Sequence, residues 1–158
     1  MALESRYLAV VRTLTERLPE DLEWALTGST AFALQGVPVE PNDLDVQTTE
    51  DGAYGIADRF PESVVDPVSF EEADRIRSHF GALERRGVRV EIMGAVQKRD
   101  ADGTWEPPVD VAAHRTFAVA DGTRVPVLSL EYEADAYERL GRSERAKLLR
   151  EYAGTDAA

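Results

Sequence analysis

Apolar side chains recur at helical spacing through Leu3, Tyr7, Val10, Val11, Leu14 and Leu18, and Pro19 ends the run. Residues 3–18 are therefore predicted to form an amphipathic helix. The compact apolar run "LEWAL" at 22–26 stops at Thr27-Gly28-Ser29 and predicts a buried strand. A short helix follows from Ser29 or Thr30 and is ended by Gly36 and Pro38. "DLDVQT" at 43–48 alternates acidic and apolar positions in strand fashion, and 51–60 predicts another helix. Two hairpins come next. One spans 78–94 around Arg85-Arg86-Gly87, with Val88, Val90 and Ile92 alternating against Arg89, Glu91 and Met93; the other spans 115–128 around Asp121-Gly122, a strong two-residue turn. Ser129 can cap a helix that runs to Gly141, and Ser143 can cap a last one.

Helices and strands alternate early and antiparallel strands come later. The fold class expected is α/β (α+β), a mixed β-sheet with helices packed against it and C-terminal helices. Without repeats or a linker, residues 1–152 read as one domain and 153–158 as a short mobile tail.

Charge narrows the chemistry. Thirty acidic against 18 basic residues give −12, a field that repels phosphate backbones and disfavours non-specific nucleic-acid binding. The basic set is arginine apart from Lys98 and Lys147, a composition that suits solubility in high salt. No apolar run is long enough for a membrane span, and the first eighteen residues are amphipathic, so a cytoplasmic location is expected. Cysteine is absent, which excludes disulfides, thiolate catalysis and Cys-built metal sites; His79 and His114 are far apart. Any metal must be held mainly by carboxylates.

Asp43 and Asp45 stand at i and i+2, so on a strand both project from one face. Such a pair suits Mg²⁺, which takes one or two carboxylates plus substrate phosphates. Acidic residues are so frequent that an acid-x-acid pair has little weight by itself; Glu131-x-Glu133-x-Asp135, inside a predicted helix, is a run of that chance kind. Context adds weight to Asp43 and Asp45. Gly28-Ser29 follows a strand and opens a helix, where free N–H groups and the Ser29 hydroxyl can receive a phosphate. Glu91 leaves its strand on the face where a neighbouring strand could carry Asp43 and Asp45. His79 reads as structural, and Trp24 and Trp105 as packing residues.

The order strand, Gly28-Ser29, helix, Asp43-x-Asp45, then Glu91 on a later strand resembles the nucleotidyltransferase superfamily related to DNA polymerase β, in particular the minimal and the aminoglycoside and lincosamide adenylyltransferase-like proteins. The resemblance covers roughly residues 22–94, with the C-terminal "VPVLSLEYEADAYERLGR" also similar to the ends of such proteins. It implies Gly28 and Ser29 as triphosphate contacts, and Asp43, Asp45 and Glu91 as catalytic carboxylates and ligands of Mg²⁺ or Mn²⁺. The reaction implied moves a nucleoside monophosphate from a nucleoside triphosphate, in first place ATP, to a hydroxyl of a small molecule or protein.

Many relatives carry a basic residue beside these motifs, where Thr30-Ala31-Phe32 and Pro41-Asn42 stand here. Arg77, Lys98, Arg99, Arg142 and Lys147 are the cations that could substitute. The same feature suits an alternative of another class, a non-catalytic interaction module such as the antitoxin-like half of a toxin–antitoxin pair. A plain acidic protein would leave Glu91 far from the aspartates.

Overall fold

The computed structural model describes residues 3–154. A seven-stranded mixed sheet carries the fold. Its strands are β1 (Trp24–Thr27), β2 (Leu44–Thr48), β3 (Val64–Glu72), β4 (Ile76–Arg85), β5 (Val88–Lys98), β6 (Arg115–Ala120) and β7 (Thr123–Leu128). They lie in the order β3-β4-β5-β2-β1-β7-β6. Pairs β2/β5 and β1/β7 are parallel; the other four are antiparallel. The helices are α1 (Ser5–Arg17), α2 (Gly28–Leu34), α3 (Glu50–Arg59), α4 (Val111–His114), α5 (Leu130–Arg139) and α6 (Ser143–Ala153), with a 3₁₀ turn at Pro61–Ser63.

The apolar stripe of α1, with Val10, Val11 and Leu14 buried, joins Leu26, Leu44, Val46, Val90, Ile92 and Ile56 in the main core. A second cluster, Phe32, Val37, Leu130, Ala134 and Leu149, packs α2 against α5 and α6. Ser129 caps α5, its hydroxyl accepting from the Tyr132 N–H at 3.2 Å. Both hairpins expected from the sequence are present; Arg86 (φ 51°) and Gly87 (φ 75°) turn the first, Asp121 and Gly122 the second.

Three expectations need correction. The strand expected at 43–48 starts at Leu44, and Asp43 lies on the bend before it, where its carbonyl accepts from the Thr30 hydroxyl at 3.0 Å. Helix α2 begins at Gly28, so Ser29 lies inside it rather than opening it. Ser143 is the first residue of α6 and caps nothing, the capping position being Arg142. Ala153 closes α6 and Gly154 follows as its C-cap; positions 155–158 of the expected tail lie outside the described residues. An element unforeseen in the sequence, β3, contains Pro67 and is mostly exposed. It is an edge strand, the place in a sheet where a proline's missing N–H costs no ladder bond.

A bulge interrupts β5. His79 pairs with Gly94 but Arg77 with Gln97, so β5 carries one extra residue, and Ala95 there has φ 53°. Glycine at 94 is required by close packing, since a Cβ would stand 2.7 Å from both the Thr49 carbonyl oxygen and the Ala53 Cβ.

Candidate active site

Strand register builds one wall of a cleft. Thr27 of β1 pairs with Asp45 of β2, and Asp45 with Glu91 of β5, so the three form a row across adjoining strands. Residues at paired positions share a face with their side chains about 5 Å apart at the Cβ atoms. Gly28 then turns the chain out of β1 with φ +73°. A Cβ on it would stand 2.3 Å from Asp45 Oδ2, so only glycine lets the carboxylate approach this turn.

The cleft has a volume of about 680 Å³, within the range of small-ligand sites. Gly28, Asp45, Gln47, Glu91 and Lys98 line it from the sheet and the β1–α2 turn, Glu133 and Tyr137 from α5, and Arg142 from the segment that follows α5. Of the residues expected at the site, Gly28, Asp45 and Glu91 are thus brought together. Ser29 and Asp43 are outside the lining, though Asp43 is near enough for its charge to act on Asp45. The Ser29 hydroxyl oxygen accepts from the Asn42 N–H at 3.1 Å, which leaves its own proton free to donate. Among the candidate cations, Lys98 and Arg142 line the cleft. Arg77 instead binds Glu72 and Gln97 and stacks on Trp105, and Arg99 binds the Gly103 carbonyl. His79 contacts Tyr54 and Glu50 outside the cleft lining.

Electrostatically the wall is unfavourable as it stands. Burial first, then the neighbouring charges of Glu91 and Asp43, push the Asp45 carboxyl far above its ordinary value. Among the described residues Glu91 has one ion-pair partner, Arg89, whose Nε donates to Oε2 at 2.9 Å. Gln47, two residues after Asp45, is 8% exposed and its Oε1 is buried without a hydrogen-bond partner.

Glu133 is the main member of the site that the sequence did not disclose. It is 3% exposed on α5 and reaches the β1–α2 turn, where Oε2 accepts from the Thr27 hydroxyl and from the Gly28 N–H at 3.4 Å. Burial raises its carboxyl to about 7, against the opposing effect of those donors and of Lys98. The run 131–135 read as chance because i and i+2 diverge on a helix; Glu133 alone turns inward, beside Ala134 and Ala136. A glutamate three residues from both Leu130 and Ala136, on the buried stripe of an otherwise amphipathic helix, is the signal that was there to find.

The donor set fits a hard divalent cation in one respect: Asp45 and Glu91 are adjoining carboxylates, and Gln47 Oε1 is an unsatisfied oxygen on the same strand face. Among the described residues, no three acidic or histidine side chains are gathered closely enough to enclose an ion by themselves. Phosphate oxygens would have to complete the coordination, which is how Mg²⁺ is commonly held.

Seven-stranded mixed sheet, six helices and this β1–α2 turn define a protein of the nucleotidyltransferase superfamily. The family model for aminoglycoside-2''-adenylyltransferase matches residues 8–154, and the chain belongs to that family. It is 49% identical to a Thermotoga maritima protein provisionally named a nucleotidyltransferase; the match covers 98% of this chain and 96% of that one, with a TM-score of 0.84. A lincosamide antibiotic adenylyltransferase, solved with lincomycin bound, shares the fold at 9% identity and a TM-score of 0.60, over 94% of this chain and 97% of that one. No curated protein matches the sequence. Among the described residues no helix is long and apolar enough to cross a membrane.

Proposed function

We propose that the protein transfers a nucleoside monophosphate, in first place adenylate from ATP, to a hydroxyl of a small molecule. The observation that carries this is the row Thr27–Asp45–Glu91, which sets two carboxylates side by side against a glycine turn. Asp45 and Glu91, with Asp43 adjoining, would hold Mg²⁺ or Mn²⁺, and the bound ion would offset the negative charge of the triphosphate. Gly28 lets the backbone come close to a phosphate, and the Ser29 hydroxyl can donate to one. The acceptor hydroxyl oxygen bonds to the α-phosphorus, the bond from that phosphorus to the bridging oxygen of the β-phosphate breaks, and pyrophosphate leaves. A carboxylate oxygen of Glu91 takes the hydroxyl proton. The family supports adenylyl transfer, and the unpaired Gln47 oxygen supports a polar ligand in the cleft.

Calorimetric titration of Mg·ATP against the wild type and the double variant Asp43→Ala/Asp45→Ala tests the reading. Binding by the wild type alone is expected; equal binding by both would remove the metal site. The interaction-module alternative drew on the lack of a cation next to Gly28-Ser29, and Lys98, Arg75 and Arg142 line the same cleft.

A further inference from the structure

The bulge in β5 decides where Lys98 points. In an unbroken strand, Lys98 would share the face of Val88, Val90 and Ile92, which is the core. One extra residue at Gly94-Ala95 reverses the alternation, so Val96 and Lys98 line the cleft with Glu91 and Met93. The backbone accepts a left-handed alanine, φ 53°, to achieve this, a conformation that L side chains disfavour.

Lys98 as a whole is 7% exposed. Its Nζ donates to the Tyr132 hydroxyl at 3.2 Å and lies 5.5 Å from that ring's centroid; the ring is itself stacked on His114 at 4.2 Å. Burial lowers its affinity for the proton, while the charges of Glu106 and Glu133 support it. Arg75 and Arg142 line the same cleft. Two backbone carbonyls hold Arg75, that of Arg99 at 3.3 Å and that of Arg139 at 3.1 Å, and Arg142 lies 5.8 Å from the Tyr137 ring centroid. Among the described residues none of the three cations is in an ion pair, in a chain where acidic residues outnumber basic ones 30 to 18. A half-enclosed cleft lined by three cations outside ion pairs, with Glu106 and Glu133 near Lys98, suits a polyanion.

We propose that Lys98, with Arg75 and Arg142 nearer the mouth of the cleft, forms the subsite for the terminal phosphates of the nucleotide and therefore for the departing pyrophosphate. This rests on the nucleotidyl-transfer reading of the cleft. It also accounts for the missing cation beside Gly28-Ser29: the positive charge comes from other residues that line the same cleft.

The test is calorimetric binding of inorganic pyrophosphate and of Mg·ATP to the wild type, Lys98→Met and Lys98→Arg, each checked by its melting curve. Lys98→Met is expected to weaken pyrophosphate by roughly ten- to a hundredfold, the range for a hydrogen bond to a charged group, and Lys98→Arg to restore most of it. If Lys98→Met melts lower but binds both ligands like the wild type, Lys98 only balances Glu133 and Glu106, and the subsite is overturned while the transfer reading stands. If the wild type binds neither ligand, the transfer reading fails and takes the subsite with it. A second measurement needs no variant, because Lys98 and Lys147 are the only lysines. Under amine acylation of the wild type, pyrophosphate should protect Lys98 and leave Lys147 unchanged; equal labelling of Lys98 with and without pyrophosphate would overturn the subsite.

Discussion

The two walls of the cleft hold their carboxylates under opposite conditions. On the strand wall, Asp45 and Glu91 adjoin each other; among the described residues Arg89 is their single ion-pair partner and an oxygen of Gln47 is unpaired. On the helix wall, Glu133 is buried more deeply yet receives the Thr27 hydroxyl and the Gly28 N–H, with Lys98 nearby. One wall is poorly satisfied by the protein itself and the other largely satisfied. A site that must take up a cation and a triphosphate needs the first kind of wall to bind and the second to keep its shape.

The largest expected effect breaks the strand wall. Asp45→Asn should lower transfer by roughly 10²–10³-fold, as loss of a charge-stabilising group does, yet raise the melting temperature of the ligand-free protein because a buried like-charge contact goes. Rate assays and calorimetry on the same preparation check both signs. Next comes Gly28→Ala, which forces a Cβ onto Asp45 and a left-handed alanine into the turn; a loss of at least about 1–2 kcal/mol in denaturant unfolding is expected, together with loss of activity.

Glu133→Leu should destabilise by about 1–3 kcal/mol by leaving the Thr27 and Gly28 donors without their acceptor, the reverse of the Asp45→Asn sign. Acidity sharpens the contrast. The folded state keeps the Glu133 proton up to about pH 7, whereas the unfolded chain gives it up near 4.5. Native protein binds more protons in that window, so stability falls as pH rises from about 4.5 to about 7, and this contribution is flat beyond. Melting curves across that range should show the slope, and Glu133→Gln should reduce it. The smallest effect belongs to Arg89→Ala. Its exposed pair with Glu91 contributes less than about 1 kcal/mol, so stability should barely move in chemical denaturation.

Legibility in the sequence follows the same division. Alternation places Asp45 and Glu91 on the sheet faces they occupy, because period-two geometry holds wherever a strand is regular, and the glycine of Thr27-Gly28-Ser29 marks the turn. Parity fails for Lys98, since nothing in "EIMGAVQK" announces that Ala95 will take a left-handed backbone; the nearest hint is Gly94. It fails for Glu133 too, whose inward turn is set by packing of α5 against a turn more than a hundred residues earlier. Asp43 shows the limit at a strand end, where one residue of fraying separates a ladder position from a bend. Strand β3 was hidden by the trait that makes it an edge, the exposure of most of its residues together with Pro67.

The bond from Glu133 to the Gly28 turn, and the pairing of Leu26 with Val127, span 105 and about 100 positions of chain. During synthesis β1 through β5 can emerge and pair while one edge of β1 stays bare, and the turn beside Asp45 has no anchor until α5 leaves the ribosome. The nascent chain therefore carries its acidic row for some time before it has a pocket. Competence for ligand arrives late and in one step, when the last helices dock.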